Sequence, residues 1–99
     1  MEKLKSAIKE FIKERDWEQY HAPKNLAMAL SVEAAEIVEI FQWKKPEDPL
    51  NEEEGEALRQ EIGDVLIYLI ELADKFEIDI IEAAKYKLTL NQKKYPADL

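Results

Sequence analysis

Four acidic residues fall into two pairs at i and i+3, Glu33 with Glu36 and Glu61 with Asp64. A pair at that spacing shares one face of a helix. Two such pairs facing one another make an oxygen-rich cage suited to Mg²⁺ or Mn²⁺. Their surroundings set them apart from the other acids of an acidic chain. On a wheel of about 100° per residue, Leu26, Leu30, Ile37, Ile40 and Phe41 form an apolar stripe, with Glu33 near its middle and Glu36 at its margin. A second stripe, Leu58, Ile62, Val65, Leu66, Leu69, Leu72 and Phe76, is bordered by Glu61, with Asp64 further round the same side. Glu39 points away from the first stripe and reads as a solvated acid. Burying carboxylates is costly unless a cation or donors compensate them, so acids that interrupt core stripes on consecutive helices point to a bound cation. One such pair alone would read as helix surface or a loop cap. A di-iron bundle usually wants Glu-x-x-His pairs, yet the only histidine, His21, lies outside these helices.

Other residues could serve a ligand beside that cage. Trp43 comes seven residues after Glu36, and Tyr68 comes seven after Glu61 and four after Asp64, so each aromatic shares a face with the acids. A nucleobase could stack there; the alternative is that both fill the core of a bundle. Trp17 and His21 close the first helix and could cover the same cleft. On the last helix Lys87, Asn91 and Lys94 recur at four- and three-residue spacing, a face able to hold phosphates opposite the acids, although lysines so spaced also form ordinary solvated faces.

Helices must position these groups. Leu4, Ala7, Ile8, Phe11 and Ile12 predict a first helix from about Lys3 to Gln19, punctuated by His21, Pro23 and Asn25. A second runs from about Asn25 to Trp43, ended by Pro46 and Pro49. Asn51 with Glu54 predicts a capped start for a third that reaches Lys75. Asp79 with Glu82 repeats the signal for a fourth, which fades near Tyr95 because Pro96 disfavours helical geometry in the residue before it. The fold class is all-α, a four-helix bundle in a single domain over residues 1–99. Ile67 and Ile70 point about 120–180° from the Leu58 and Phe76 direction, which predicts a second apolar face set against another copy of the chain.

Composition agrees. Two glycines and four prolines in 99 residues are too few for a loop-rich β protein. With 22 acidic and 14 basic residues the net charge is −8, the wrong sign for gripping a nucleic-acid polymer. A polyphosphate ligand would need a metal as intermediary. No cysteine is present, which removes disulfides, thiol nucleophiles and Cys-ligated zinc. The longest apolar run, Val65 to Ile70, is far short of a membrane span, and the segment after Met1 lacks a signal-peptide core, so a cytoplasmic protein is expected.

The stretch Glu14-Arg15-Asp16-Trp17-Glu18-Gln19-Tyr20-His21, the pair Glu33-x-x-Glu36, Phe41-Gln42-Trp43-Lys44, Glu61-x-x-Asp64-Val65-Leu66-Ile67-Tyr68-Leu69 and Asn91-x-x-Lys94-Tyr95-Pro96 together resemble the MazG-like nucleotide pyrophosphohydrolases, and within them the dCTP pyrophosphatase branch. The resemblance implies an α-helical enzyme that cleaves a (deoxy)nucleoside triphosphate, such as dCTP or a related pyrimidine nucleotide, to the monophosphate and pyrophosphate. It implies that Glu33, Glu36, Glu61 and Asp64 bind Mg²⁺, that Trp17, His21, Trp43, Tyr68 and Asn91 stand in or near the nucleotide pocket, and that protomers form a homodimer or homotetramer. Lys94 stands where relatives often carry arginine, which would make its phosphate contact monodentate. Water would attack one phosphorus of the triphosphate, and Glu36 is the carboxylate assigned to orient or deprotonate it. Two alternatives stay open: a different base preference, such as dUTP, damaged nucleotides or several nucleotides, and an acidic helical interaction module with a structural or vestigial metal site.

Overall fold

The computed structural model describes residues 1–97 as helices and connecting turns, with no strand among them. Helix α1 spans Glu2–Glu14, α2 Pro23–Phe41, α3 Glu52–Lys75 and α4 Ile80–Lys94, with a short 3₁₀ turn at Glu18–Tyr20. The boundaries follow from local chemistry. Pro23 takes the first position of α2, where its missing N–H costs nothing. Asn51 caps α3 by accepting from the Glu54 N–H, while the Glu54 carboxylate accepts from the Asn51 N–H. Those contacts, the backbone N–H foremost and the Lys44 ammonium after it, hold the Glu54 carboxyl below its ordinary range. Asp79 caps α4 through the N–H groups of Ile81 and Glu82.

The first helix stops earlier than its periodicity predicts, at Glu14 rather than Gln19. Asp16 adopts a left-handed backbone, φ 54°, and the Trp17 N–H turns back to the Ile12 carbonyl. Glu77 does the same after α3, with φ 56° and the Ile78 N–H on the Ala73 carbonyl. A non-glycine residue in that region costs about 1 kcal/mol or slightly more. Glu77→Gly should therefore raise the thermal midpoint by a few degrees in a circular-dichroism melt, since about 1 kcal/mol moves so short a chain by roughly 4–8 °C. A fall would assign Glu77 a side-chain role outweighing its backbone strain.

Helices α2 and α3 form an antiparallel hairpin. A polar contact stands at each end of it, the Lys44–Glu54 ion pair at 2.9 Å beside the connecting loop and the His21 Nδ1 to Glu71 Oε2 contact at 2.6 Å at the far end. Lys44 also donates to the Pro49 carbonyl, closing the loop back onto α2. Helix α1 lies across α3, where Ile8, Ile12 and Ile70 make a buried cluster with Ile80 packed against it. Lys5 and Lys9 both reach Asp74, holding its carboxyl below the usual range, the Lys5 contact foremost.

One expectation needs correction. Ile70 does not point toward another molecule: it is 3% exposed, covered by α1 of its own chain. The four helices bear out the all-α fold class, and within one chain they are not closed on a single core. Helix α4 touches the other helices only slightly, and most of its side chains are exposed. Of the α3 stripe read as core, Ile62, Leu66, Leu69 and Phe76 remain 37–60% exposed. The accessible surface is 8260 Å², against about 5,800 Å² for a compact monomer of this mass. The radius of gyration is 16.7 Å, against about 12.6 Å for a compact chain of this length. Periodicity identified the apolar residues correctly but could not say which neighbours cover them.

Candidate active site

The hairpin brings the two acid pairs face to face. One carboxylate oxygen each from Glu33, Glu61 and Asp64 lies within 4.8 Å of the other two. Oxygens around a six-coordinate Mg²⁺ with bonds of about 2.1 Å stand roughly 3 to 4 Å apart, so small side-chain adjustments would place three of them on one ion. Glu36 stands outside that trio but close enough to act on the charge of Glu33.

The electrostatics of these carboxylates favour a proton or a cation among them. Glu33 and Glu61 each turn a buried oxygen, Oε2, to a place where the described residues supply no hydrogen-bond partner. A buried lone pair without a donor is costly. The Glu33 carboxyl is pushed up to about 8, first by Glu61, next by burial and then by Glu36. A proton shared between the carboxylates would relieve the strain, and a divalent cation would relieve it more fully. The donor set is all hard oxygen, so the residues fit a metal of the Mg²⁺ type.

Beside this cage opens a cleft of about 420 Å³ lined by Trp17, His21, Tyr68 and Asp64, with Phe11 and Ile67 on its apolar side. The edge of Phe11 meets Trp17 with ring centroids 5.6 Å apart, and His21 lies 6.5 Å from both Trp17 and Tyr68. Tyr68 has its phenol pushed up by burial and by the nearby Glu33, Glu71 and Asp64 carboxylates, which keeps it a hydrogen-bond donor. The cleft is thus aromatic along one wall and acidic at one end.

The structure separates the remaining expected residues from this place. Trp43 is 90% exposed and borders a shallow groove with Glu39, Lys44 and Asp48 at the other end of the hairpin. Lys87 and Lys94 are exposed on α4, Asn91 is half-buried there, and none of the three lines the aromatic cleft. Lys94 lies 5.4 Å from the ring of Tyr95 instead. Sequence reasoning missed Glu71, which is buried and pairs with His21. Its position was readable in principle: Glu61, Asp64, Tyr68 and Glu71 follow at spacings that keep them on one side of α3.

An acid-lined helical hairpin whose carboxylates could hold a metal ion, beside an aromatic cleft, stands on an all-α fold. Residues 28–99 match the model of the MazG-like family, and the chain belongs to that family. It is 42% identical over 103 residues to human dCTP pyrophosphatase 1, and 41% identical to the bovine protein of that name. Both alignments take in the whole of this chain and 61% of the relative, so the chain spans about three fifths of their length. A solved pyrophosphatase from Archaeoglobus fulgidus superposes with a TM-score of 0.85 at 46% identity, over 98% of this chain and 93% of that one.

Proposed function

We propose that this chain hydrolyses a nucleoside triphosphate, dCTP or a related pyrimidine nucleotide, to the monophosphate and pyrophosphate, with Mg²⁺ held by Glu33, Glu61 and Asp64. The observation that carries the reading is the cluster of Glu33, Glu61 and Asp64, the first two with a buried, donorless oxygen each and the third also lining the aromatic cleft. Kinship with proteins named for pyrophosphatase activity supports it.

Mg²⁺ supplies charge neutralisation and orientation of the phosphate oxygens when bound. The chain's own residues do the rest. Glu36, outside the close trio, is the carboxylate left to accept a hydrogen bond from the attacking water and take its proton. Trp17 and Tyr68 flank the nucleoside in the cleft, and His21 offers a polar contact to it. No protein nucleophile is required, consistent with a chain that has no cysteine and with acids committed to the cation. Trp43, Lys87, Asn91 and Lys94 do not line the cleft of one chain, and their share in this work is assigned to an assembly that brings a second copy alongside. The open apolar face of α3 supports a homodimer or homotetramer.

Pyrophosphate release should be measured over a panel of nucleoside triphosphates with Mg²⁺ and again with excess chelator. The expected result is release from dCTP above the others, abolished by chelation. Equal rates with and without the metal would remove the cation from the mechanism. A keto-bearing nucleotide at the top of the panel would reassign the base.

A further inference from the structure

His21 and Glu71 lie 50 positions apart in sequence, yet they make the closest polar side-chain contact between the helix-connecting turns and α3, Nδ1 to Oε2 at 2.6 Å. Glu71 is 9% exposed, the one buried charged residue among the described residues, and it is not an acid of the Glu33, Glu61 and Asp64 cluster. Burial pushes its carboxyl up, and His21 is the foremost of the groups that counter this. A carboxylate so placed has to be matched by a donor. The contact therefore selects a geometry as well as contributing stability. With Nδ1 turned to Glu71, Nε2 is the ring nitrogen that Glu71 leaves free, on a ring that borders the cleft together with Trp17, Tyr68, Asp64 and Glu71 itself.

We propose that Glu71 is a positioning residue that holds the His21 ring proton on Nδ1 and so presents Nε2 to the nucleoside cleft as a hydrogen-bond acceptor, favouring a base that carries an amino group. The proposal rests on the nucleotide reading of the cleft given above. Its physical basis is that the partner of one imidazole nitrogen decides the state of the other. An ionised Glu71 can only accept, so Nδ1 must donate and the neutral ring is left with its lone pair on Nε2. An amino-bearing base donates to that lone pair, whereas a keto oxygen at the same place would meet it lone pair to lone pair. A site whose polar group matches one of two bases discriminates by leaving the other unpaired.

The chain has a single histidine, so its imidazole nitrogens can be read without ambiguity in a long-range ¹H–¹⁵N spectrum of the uniformly labelled protein. In the full chain at pH 8.5 with Mg²⁺ we expect a protonated, pyrrole-type Nδ1 and a pyridine-type Nε2. Glu71→Gln, which can donate to Nδ1, should move the proton toward Nε2. In kinetics the same variant should raise KM for the amino-bearing nucleotide by about tenfold, the worth of one hydrogen bond, with a smaller change in kcat, and should flatten the preference over the keto-bearing counterpart. A purely structural tie would instead lower the thermal midpoint and leave the tautomer and the base preference where they were, which overturns the proposal. A wild-type ring with its proton on Nε2 overturns it too, and that result needs no variant to fold. Wild-type protein inactive on every triphosphate would strike the reading of the cleft itself, and it is seen before any variant is made.

Discussion

Glu33→Gln should abolish Mg²⁺-dependent turnover and, in the absence of divalent cations at pH 8, make the protein more stable. Loss of activity by at least about a hundredfold is expected, the scale of removing one preorganised electrostatic contact from a reacting centre. The gain in stability follows from the sign of the pKa shift. The folded-state carboxyl of Glu33 sits near 8, above its ordinary value of 4.5. Between those values the folded chain retains a proton that the unfolded chain has released, so stability falls as pH rises. The favourable contribution is complete below about pH 4.5 and gone once the pH has passed through 8. An amide at position 33 carries no such charge and escapes the loss.

The measurement is a set of thermal melts of wild type and variant in chelator and in Mg²⁺, from pH 5 to pH 8.5. In chelator the wild type should lose several degrees across that range and the variant less. In Mg²⁺ at the upper end the order should reverse, because a ligand that binds only the folded state stabilises it. A wild-type midpoint indifferent to pH in chelator, or a variant as active as its parent, would remove Glu33 from the cation site.

Leu69→Asp should dissociate the protein into monomers or prevent it from folding. Leu69 belongs to a row with Ile62, Leu66 and Phe76 along α3 that the single chain leaves open. The accessible surface exceeds that of a compact monomer by about 2,400 Å², an area comparable to what extensive protein interfaces bury. An unpaired carboxylate in the middle of such a contact would weaken association by more than about a thousandfold, equivalent to some 4 kcal/mol. Light scattering at micromolar concentration reads the outcome. Wild-type protein that is monomeric there, or a variant of unchanged mass, would show that this face is not where copies meet. Ile67, 36% exposed, also lines the aromatic cleft, so a charge at Ile67 would not separate a loss of association from a disturbance of the cleft.

Local features were legible in the residues alone. Helix-period stripes and the Asn51 and Asp79 caps located the helices, because both act within a turn or two of the backbone and are written in adjacent residues. The acid pairs were visible for the same reason: i and i+3 spacing places Glu33 with Glu36, and Glu61 with Asp64, before any tertiary contact is known. Where α1 stops was not visible, because Asp16 turns left-handed where a glycine would have announced it. The remaining features come from the packing of the helices. That packing chose three of four carboxylates for the close cluster, buried Ile70 under α1, sent Trp43 to the far end of the hairpin and joined His21 to Glu71. Each of these depends on how one helix rolls and slides against another. That is settled by the summed packing of both surfaces, which no single stretch of sequence contains.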